Sequence, residues 1–181
     1  IRSLKRTLNE LGDRKAYVLV FATTHCPIVQ RTIPKLKELD ARFGPLGVQF
    51  VAVNVGADDS IRDMAAHALD LGVTFPFVKD ADYSCAAKLG VTRTPQVAVL
   101  DSQRRLVYRG RVDDQYRLGG TRPEPSRRDL EIALQEVLDG KTVSVPETAV
   151  DGCLISRPPD SGDLGKNLTY YQDVAPIFDR R

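Results

Sequence analysis

Cys26 is the residue of this chain best suited to chemistry. An apolar run from Tyr17 to Ala22 reads as a buried strand, followed by Thr23, Thr24 and His25. After Cys26 come Pro27 and an apolar spacing (Val29, Ile33, Leu36, Phe43) that reads as a helix. A cysteine at such a junction meets backbone N–H groups without partners and the positive end of the helix dipole. That setting favours the thiolate, which is the nucleophilic form. Pro27 suits the first helical turn, where its missing N–H costs nothing. Two reactions are open to this sulfur. One is attack on a disulfide through a mixed disulfide. The other is attack on a peroxide, leaving a sulfenic acid that a second thiol must resolve.

Several neighbours could tune it. His25 as imidazolium would lower the thiol pKa, and as neutral imidazole it could accept the thiol proton. Adjacent side chains at a turn diverge, so the alternative is a ring that faces solvent. Thr23 or Thr24 could donate a hydrogen bond to the thiolate, or satisfy the turn backbone instead. Cys85 shares a helical face with Ala86 and Leu89 and reads as a packing residue. Cys153 lies in an irregular stretch as a free, structural or redox thiol, and a structural Cys85–Cys153 bridge stays open. His67 falls on the polar side of a helix and reads as a surface residue. With only these three cysteines and two histidines, neither a disulfide scaffold nor a zinc site is expected.

The elements that must position Cys26 follow from periodicity and turn residues. Ile1, Leu4, Leu8 and Leu11 share a helical face that Gly12 can stop. Gly44, Pro45 and Gly47 mark a loop, and Val48 to Val55 is a second apolar strand. Ile61, Met64, Ala65 and Ala68 predict a helix closed near Gly72. Phe75 to Val78 suits a short extended piece. Asp82 is the expected N-cap of a short helix through Leu89, with Gly90 at its end. Gln96–Leu100 and Arg105–Arg109 predict a hairpin. Ser126 and Asp129 suggest a capping box before Leu130, Ala133, Leu134 and Val137, and Gly140 ends that helix. The order β-α-β-α-α-β-β-α implies an α/β fold with a central mixed β-sheet and helices on both faces. Residues 1–145 are expected to form this domain, and 146–181 an irregular extension or linker.

The bulk composition excludes some functions. At 42% hydrophobic and 28% charged, the 181 residues suit one globular domain. A net charge of +2 gives no support for nucleic-acid binding. No apolar run approaches the ~20 residues of a membrane span, so membrane insertion is not expected. The chain begins at Ile1 without a visible signal peptide and reads as a piece of a longer protein.

Three segments carry a resemblance to a known family. They are His25-Cys26-Pro27 with its preceding strand, Gly90 to Pro95 running on through Leu106 to Asp114, and Gly152-Cys153-Leu154-Ile155. Together they resemble the thioredoxin fold in its redoxin branch, near the alkyl hydroperoxide reductase/thiol-specific antioxidant superfamily, with an HCP-type active site. The resemblance implies a cis Thr94–Pro95 bond beside Cys26, open to an extended disulfide substrate. It also implies Cys153 as the resolving partner of Cys26.

Departures from the family pattern narrow the reading. Val29 replaces the second cysteine of a CxxC pair. Thr23 matches the peroxiredoxin threonine, but Leu19 stands where those proteins have proline. Pro95 occupies the place of their peroxide-orienting arginine, leaving Arg93 or Arg111 to substitute. The implied function is therefore a thiol–disulfide oxidoreductase, with a peroxiredoxin-like peroxidase or a non-catalytic docking module as alternatives. Expected partners are a disulfide-bearing protein, a small thiol or a peroxide. Thr169 to Phe178 resembles the lead-in to a cytochrome c segment of bacterial fusion proteins. No cofactor is expected in this chain, whereas haem c and an attached cytochrome c would belong to a longer one. That places the protein in the bacterial periplasm or another compartment outside the cytoplasm.

Overall fold

The computed structural model describes residues 7–117 and 119–156. The Ile1 and Leu4 part of the first expected helix and the cytochrome-like segment Thr169 to Phe178 lie outside those residues. Leu8–Leu11 form one turn of 3-10 helix rather than the end of a longer α-helix.

Strand β1 (Ala16–Ala22) is buried along its whole length. It occupies the middle of a five-stranded sheet, flanked by β2 (Val48–Asn54) and β5 (Gln96–Asp101). The outer strands are β3 (Phe77–Lys79), beside β2, and β6 (Leu106–Gly110), beside β5. A two-residue strand, β4 (Arg93–Thr94), precedes β5. The β1–β2 and β2–β3 pairs are parallel, and the β1–β5 and β5–β6 pairs antiparallel. The sheet is therefore mixed. An unbroken apolar run is what a strand needs when both of its faces are covered.

Alternation along β1 splits the core in two. Ala16, Val18, Val20 and Ala22 pack with α1 (Pro27–Phe43) through Val29, Ile33 and Leu36, and with α4 (Asp129–Leu138) through Leu130 and Leu134. Tyr17, Leu19 and Phe21 pack on the opposite face against Ala86 and Val91, with Cys85 and Leu89 at the margin; α3 (Ser84–Lys88) supplies Cys85 and Ala86. Helix α2 (Ile61–Asp70) follows β2, and its cap pairs Ser60 Oγ with the Asp63 N–H. Helices thus cover both faces, and the fold is α/β of the thioredoxin type. A small ribbon, β7 (Tyr116–Arg117) and β8 (Gly120–Thr121), joins the sheet to α4.

Two expected helix caps differ in detail. The Asp82 carboxylate accepts from the Ser84 N–H at 3.1 Å, and that of Asp80 from the Cys85 and Ala86 N–H groups at 3.1 and 2.9 Å. Tyr83 occupies the cap position in the left-handed region, at φ 57°. At α4 no Ser126 box forms. The helix begins only at Asp129, with Arg128 in the N-cap position and no side-chain cap bond, so Ser126 lies upstream of the cap and its hydroxyl accepts from Arg122 Nη1 at 2.8 Å. The Asp129 carboxylate is taken by Arg111 and Arg127, each at 2.6 Å.

After α4 the chain returns across the domain. Pro146 O accepts from Arg109 N at 2.9 Å, and Thr148 N donates to Arg109 O at 3.1 Å, along the free edge of β6. Residues Cys153–Leu154 form β9, which pairs antiparallel with β4.

Candidate active site

Cys26 is the N-cap of α1. It is only 2% exposed. Its Sγ lies 3.5 Å from the Thr94 carbonyl oxygen, and the Thr94–Pro95 bond that follows is cis. The β4–β9 pairing sets Cys153 directly opposite Thr94. The two sulfurs, 127 residues apart in sequence, lie 2.8 Å from each other as free thiols.

Backbone contacts hold β9 in this register. Ile155 N donates to Thr92 O at 3.0 Å, and Arg93 Nη1 donates to Gly152 O at 2.7 Å. Gly152 is required by close approach, since a Cβ there would fall 2.3 Å from the Thr94 carbonyl oxygen. The Gly-Cys pair of the sequence therefore has a steric reason: glycine lets the segment press against β4, and the next residue is the one brought to Cys26.

The electrostatics of the two sulfurs diverge. Burial works against ionisation of Cys26. The Cys153 thiol and the N–H groups of Val29 and Ile28 work for it and prevail, so this thiol lies below its ordinary value. Burial, the hydrogen bond with Cys26 and the charge of that sulfur push Cys153 up to about 11. Thr94 Oγ1 itself is buried and has no hydrogen-bond partner among the described residues.

A buried carboxylate braces the turn before Cys26. Asp59 accepts from Thr24 N at 2.9 Å, from Thr24 Oγ1 at 2.5 Å and from Asn54 Nδ2 at 2.6 Å. Lys79 Nζ closes the network on Asn54 Oδ1 and the Asp59 carbonyl, each at 2.8 Å. Burial would raise the Asp59 carboxyl, but the Thr24 and Asn54 hydrogen bonds and the charge of Lys79 hold it below the usual range. Sequence reasoning missed Asp59, Asn54 and Lys79. The one available signal was a polar Asn54 ending an apolar strand two residues before Gly56, where a Cβ would meet Asp59 Oδ2 at 2.2 Å.

This network decides the fate of the neighbouring polar residues. His25 Nδ1 lies 2.9 Å from Thr24 Oγ1 and 3.2 Å from Asp59 Oδ1, with the side chain 85% exposed. The ring is bound to the brace and faces solvent, and no hydrogen bond joins it to Cys26. Thr23 is half-buried, with no side-chain hydrogen bond among the described residues. The expected threonine support for the thiolate is therefore absent from Thr23, and Thr24 spends its hydroxyl on Asp59.

Asp59→Asn is expected to cost about 3 kcal/mol of stability, because amide hydrogens would oppose donors that now have an acceptor. Urea unfolding at neutral pH measures it. The depressed carboxyl contributes stability that is complete above its unfolded pKa and lost as pH falls through the folded value. The gap between wild type and variant should therefore narrow in acid.

Cys85 is half-buried against the second core layer, and burial pushes its thiol up to about 11. It is free, and the Cys153 sulfur rests on Cys26, so no Cys85–Cys153 bridge forms. His67 departs from the surface expectation. Its ring lies 6.5 Å from that of Phe77, and its Nε2 is buried without a partner among the described residues. Helix α2 lays that residue along the sheet edge instead of pointing it at water. No helix among the described residues is long and apolar enough to cross a membrane.

The chain as a whole is similar to known proteins. Residues 5–124 match the Redoxin family model. The chain belongs to the redoxin family. A hypothetical protein of Sinorhizobium meliloti is 30% identical, with a TM-score of 0.75 over 84% of this chain and 85% of its own. An uncharacterized conserved protein of Geobacillus kaustophilus is 29% identical, with a TM-score of 0.75 over 85% of this chain and 83% of its own. A candidate thioredoxin of Neisseria meningitidis shares the fold at 18% identity, with a TM-score of 0.56 over 70% and 77% of the two chains. No protein of curated function matches the sequence.

Proposed function

We propose that this chain is a thiol–disulfide oxidoreductase in which Cys26 is the nucleophile and Cys153 its disulfide partner. The observation that carries the reading is the 2.8 Å approach of two free thiols at the start of α1. Only one of them is favoured to ionise. When β9 lifts, the Cys26 thiolate attacks one sulfur of a substrate disulfide. That S–S bond breaks, the first substrate thiolate departs, and Cys26 carries the other half as a mixed disulfide. Cys153 then gives its proton to the departing thiolate and attacks the Cys26 sulfur. The second substrate sulfur leaves as a thiolate and takes a proton from water, and the Cys26–Cys153 disulfide remains. The substrate gains two electrons and the protein loses them. Thr94 and Pro95 line the place where the substrate sulfur meets Cys26.

Peroxide reduction through the same sulfur has less support. Arg93 is engaged with Gly152 O and Arg111 with Asp129, so neither guanidinium is held for a peroxide at Cys26. Substrates are disulfide-bearing proteins or small disulfides, and the working compartment is one outside the cytoplasm where disulfides persist.

Thiol titration with disulfide mapping tests the reading. Alkylation of Cys26 should reach half its maximal rate below the pH of an ordinary thiol, while Cys85 responds only in strong alkali. Mild oxidation should yield a Cys26–Cys153 disulfide in mass-spectrometric maps. An ordinary or raised Cys26 titration, or an oxidised protein without that bond, overturns the proposal. Sulfenate trapped on Cys26 during rapid peroxide consumption would favour the peroxidase instead.

A further inference from the structure

Strand β4 has β9 as its one partner among the described residues, with Arg93 opposite Leu154 and Thr94 opposite Cys153. That edge runs into the cis Thr94–Pro95 bond beside Cys26. Cys26 is only 2% exposed, and the covering atom is Cys153 Sγ, 2.8 Å away. A substrate sulfur therefore reaches Cys26 through the place that Cys153 Sγ now fills. The chain on either side of that sulfur then meets the atoms that β9 meets now. Residues 152–155 are thus a template for the segment they give way to.

The residue before the sulfur is Gly152, which is buried. A Cβ on it would fall 2.3 Å from the Thr94 carbonyl oxygen, 2.9 Å from the carbonyl carbon and 3.5 Å from Pro95 N. Its φ lies outside the left-handed region, so the position needs glycine for space and not for conformation. The obstructing atoms are backbone of Thr94 and Pro95, and they stay when β9 leaves. The Gly152 carbonyl accepts from Arg93 Nη1 at 2.7 Å, a bond that any peptide carbonyl in that place can take over. After the sulfur comes Leu154, 67% exposed, where the protein imposes no choice of side chain. Ile155 N donates to Thr92 O at 3.0 Å, and its side chain packs on the second core layer. An apolar residue is favoured there.

We propose that the site selects polypeptide disulfides whose attacked cysteine follows a glycine, in the pattern Gly-Cys-x-apolar, and that β9 is the chain's own copy of that pattern. This rests on Cys26 as the nucleophile and deepens that reading by naming the substrate's local sequence. The substrate segment lies extended on β4, and Arg93 holds the carbonyl of its glycine. Cys26 Sγ bonds to the sulfur of its cysteine, the substrate S–S bond breaks, and the electron pair leaves on the other half as a thiolate. Cys153 can resolve the mixed disulfide only when β9 regains the same edge. Substrate backbone and β9 therefore occupy β4 in turn, and the return of β9 frees a segment that its backbone bonds would otherwise retain. A side chain before the substrate cysteine pushes the segment off the edge and carries its sulfur away from Cys26.

The test uses the full chain carrying Cys153→Ser, which retains the mixed disulfide, and blocked peptides X-Cys-Ala-Ile in which X is glycine, alanine or valine. Each peptide is activated as its disulfide with thionitrobenzoate, so that release of the coloured thiolate times the attack. Dividing by the rate with free glutathione removes intrinsic differences among the peptides. The glycine peptide is expected to react about tenfold or more faster than the alanine peptide, with valine slower still, since a misplacement of about 1 Å costs on the order of 10²-fold. Equal corrected rates, with all three peptides mapped to Cys26, overturn the proposal and leave Cys26 as the nucleophile. A mixed disulfide absent from Cys26 with every peptide refutes the nucleophile itself.

Discussion

Cys26→Ser is expected to lower disulfide turnover by about 10³-fold or more, the scale of loss when a covalent nucleophile is removed. A serine hydroxyl does not ionise near neutral pH, so the N–H groups of Ile28 and Val29 would have no anion to hold. Serine is also among the best N-cap residues. The start of α1 should therefore survive, and thermal unfolding of the variant should follow the wild type. Cys153→Ser should behave differently. Cys26 still attacks, one substrate thiol is released, and the protein stalls as a mixed disulfide visible by mass. Stopped-flow consumption of oxidised glutathione, read with the intact mass after quenching, separates the two variants. Full activity in Cys26→Ser would remove the sulfur from the mechanism and leave the redoxin fold as a docking module.

The second large effect is expected at a residue with no side chain. Gly152→Ala would set a Cβ 2.3 Å from the Thr94 carbonyl oxygen and 2.9 Å from its carbon. Both are backbone atoms of the segment that carries the cis bond, so β9 must give way instead. A displacement of about 1 Å at a reacting centre costs on the order of 10²-fold. The equilibrium fraction of Cys26–Cys153 disulfide in a glutathione buffer should fall accordingly. Cys26 alkylation should speed up as its cover loosens. The core made by β1, β2, β5 and their helices lies away from this contact, so urea unfolding should change little. Disulfide formation at the wild-type level in Gly152→Ala would mean that the close β4–β9 pairing does not bring the sulfurs together.

Most of the scaffold could be read from local pattern. The apolar run through β1, the helical spacing after Pro27, the second run into Asn54 and the 96–110 hairpin all lie where periodicity puts them. Each of these signals is generated within a dozen or so neighbouring residues, because backbone dihedral preferences and the side-chain period are local properties. The position of Cys26 at a helix start belongs to the same class. So does much of its reactivity, since the N–H groups that favour the thiolate come from the two residues that follow Pro27.

What remained hidden depends on residues distant in sequence. Asp80, which the local cap pattern did not mark, joins Asp82 at the start of α3 because of the path of the chain entering that helix. Ser126 loses its box because α4 begins only at Asp129, where Arg111 and Arg127 hold the carboxylate. Asp58 and Asp59 are adjacent and chemically identical, yet only Asp59 turns under Thr24 to meet Asn54 and Lys79. His67 becomes half-buried because α2 lies along the sheet edge. Cys153 is the clearest case, for β9 is too short to carry a period, and only the family resemblance of Gly152-Cys153 pointed to a redox thiol there. Local sequence supplied the sulfur, the helix end and the glycine. Bringing two thiols 127 residues apart to 2.8 Å took the assembled sheet, because a contact across that separation is selected by the packing of every element between its ends.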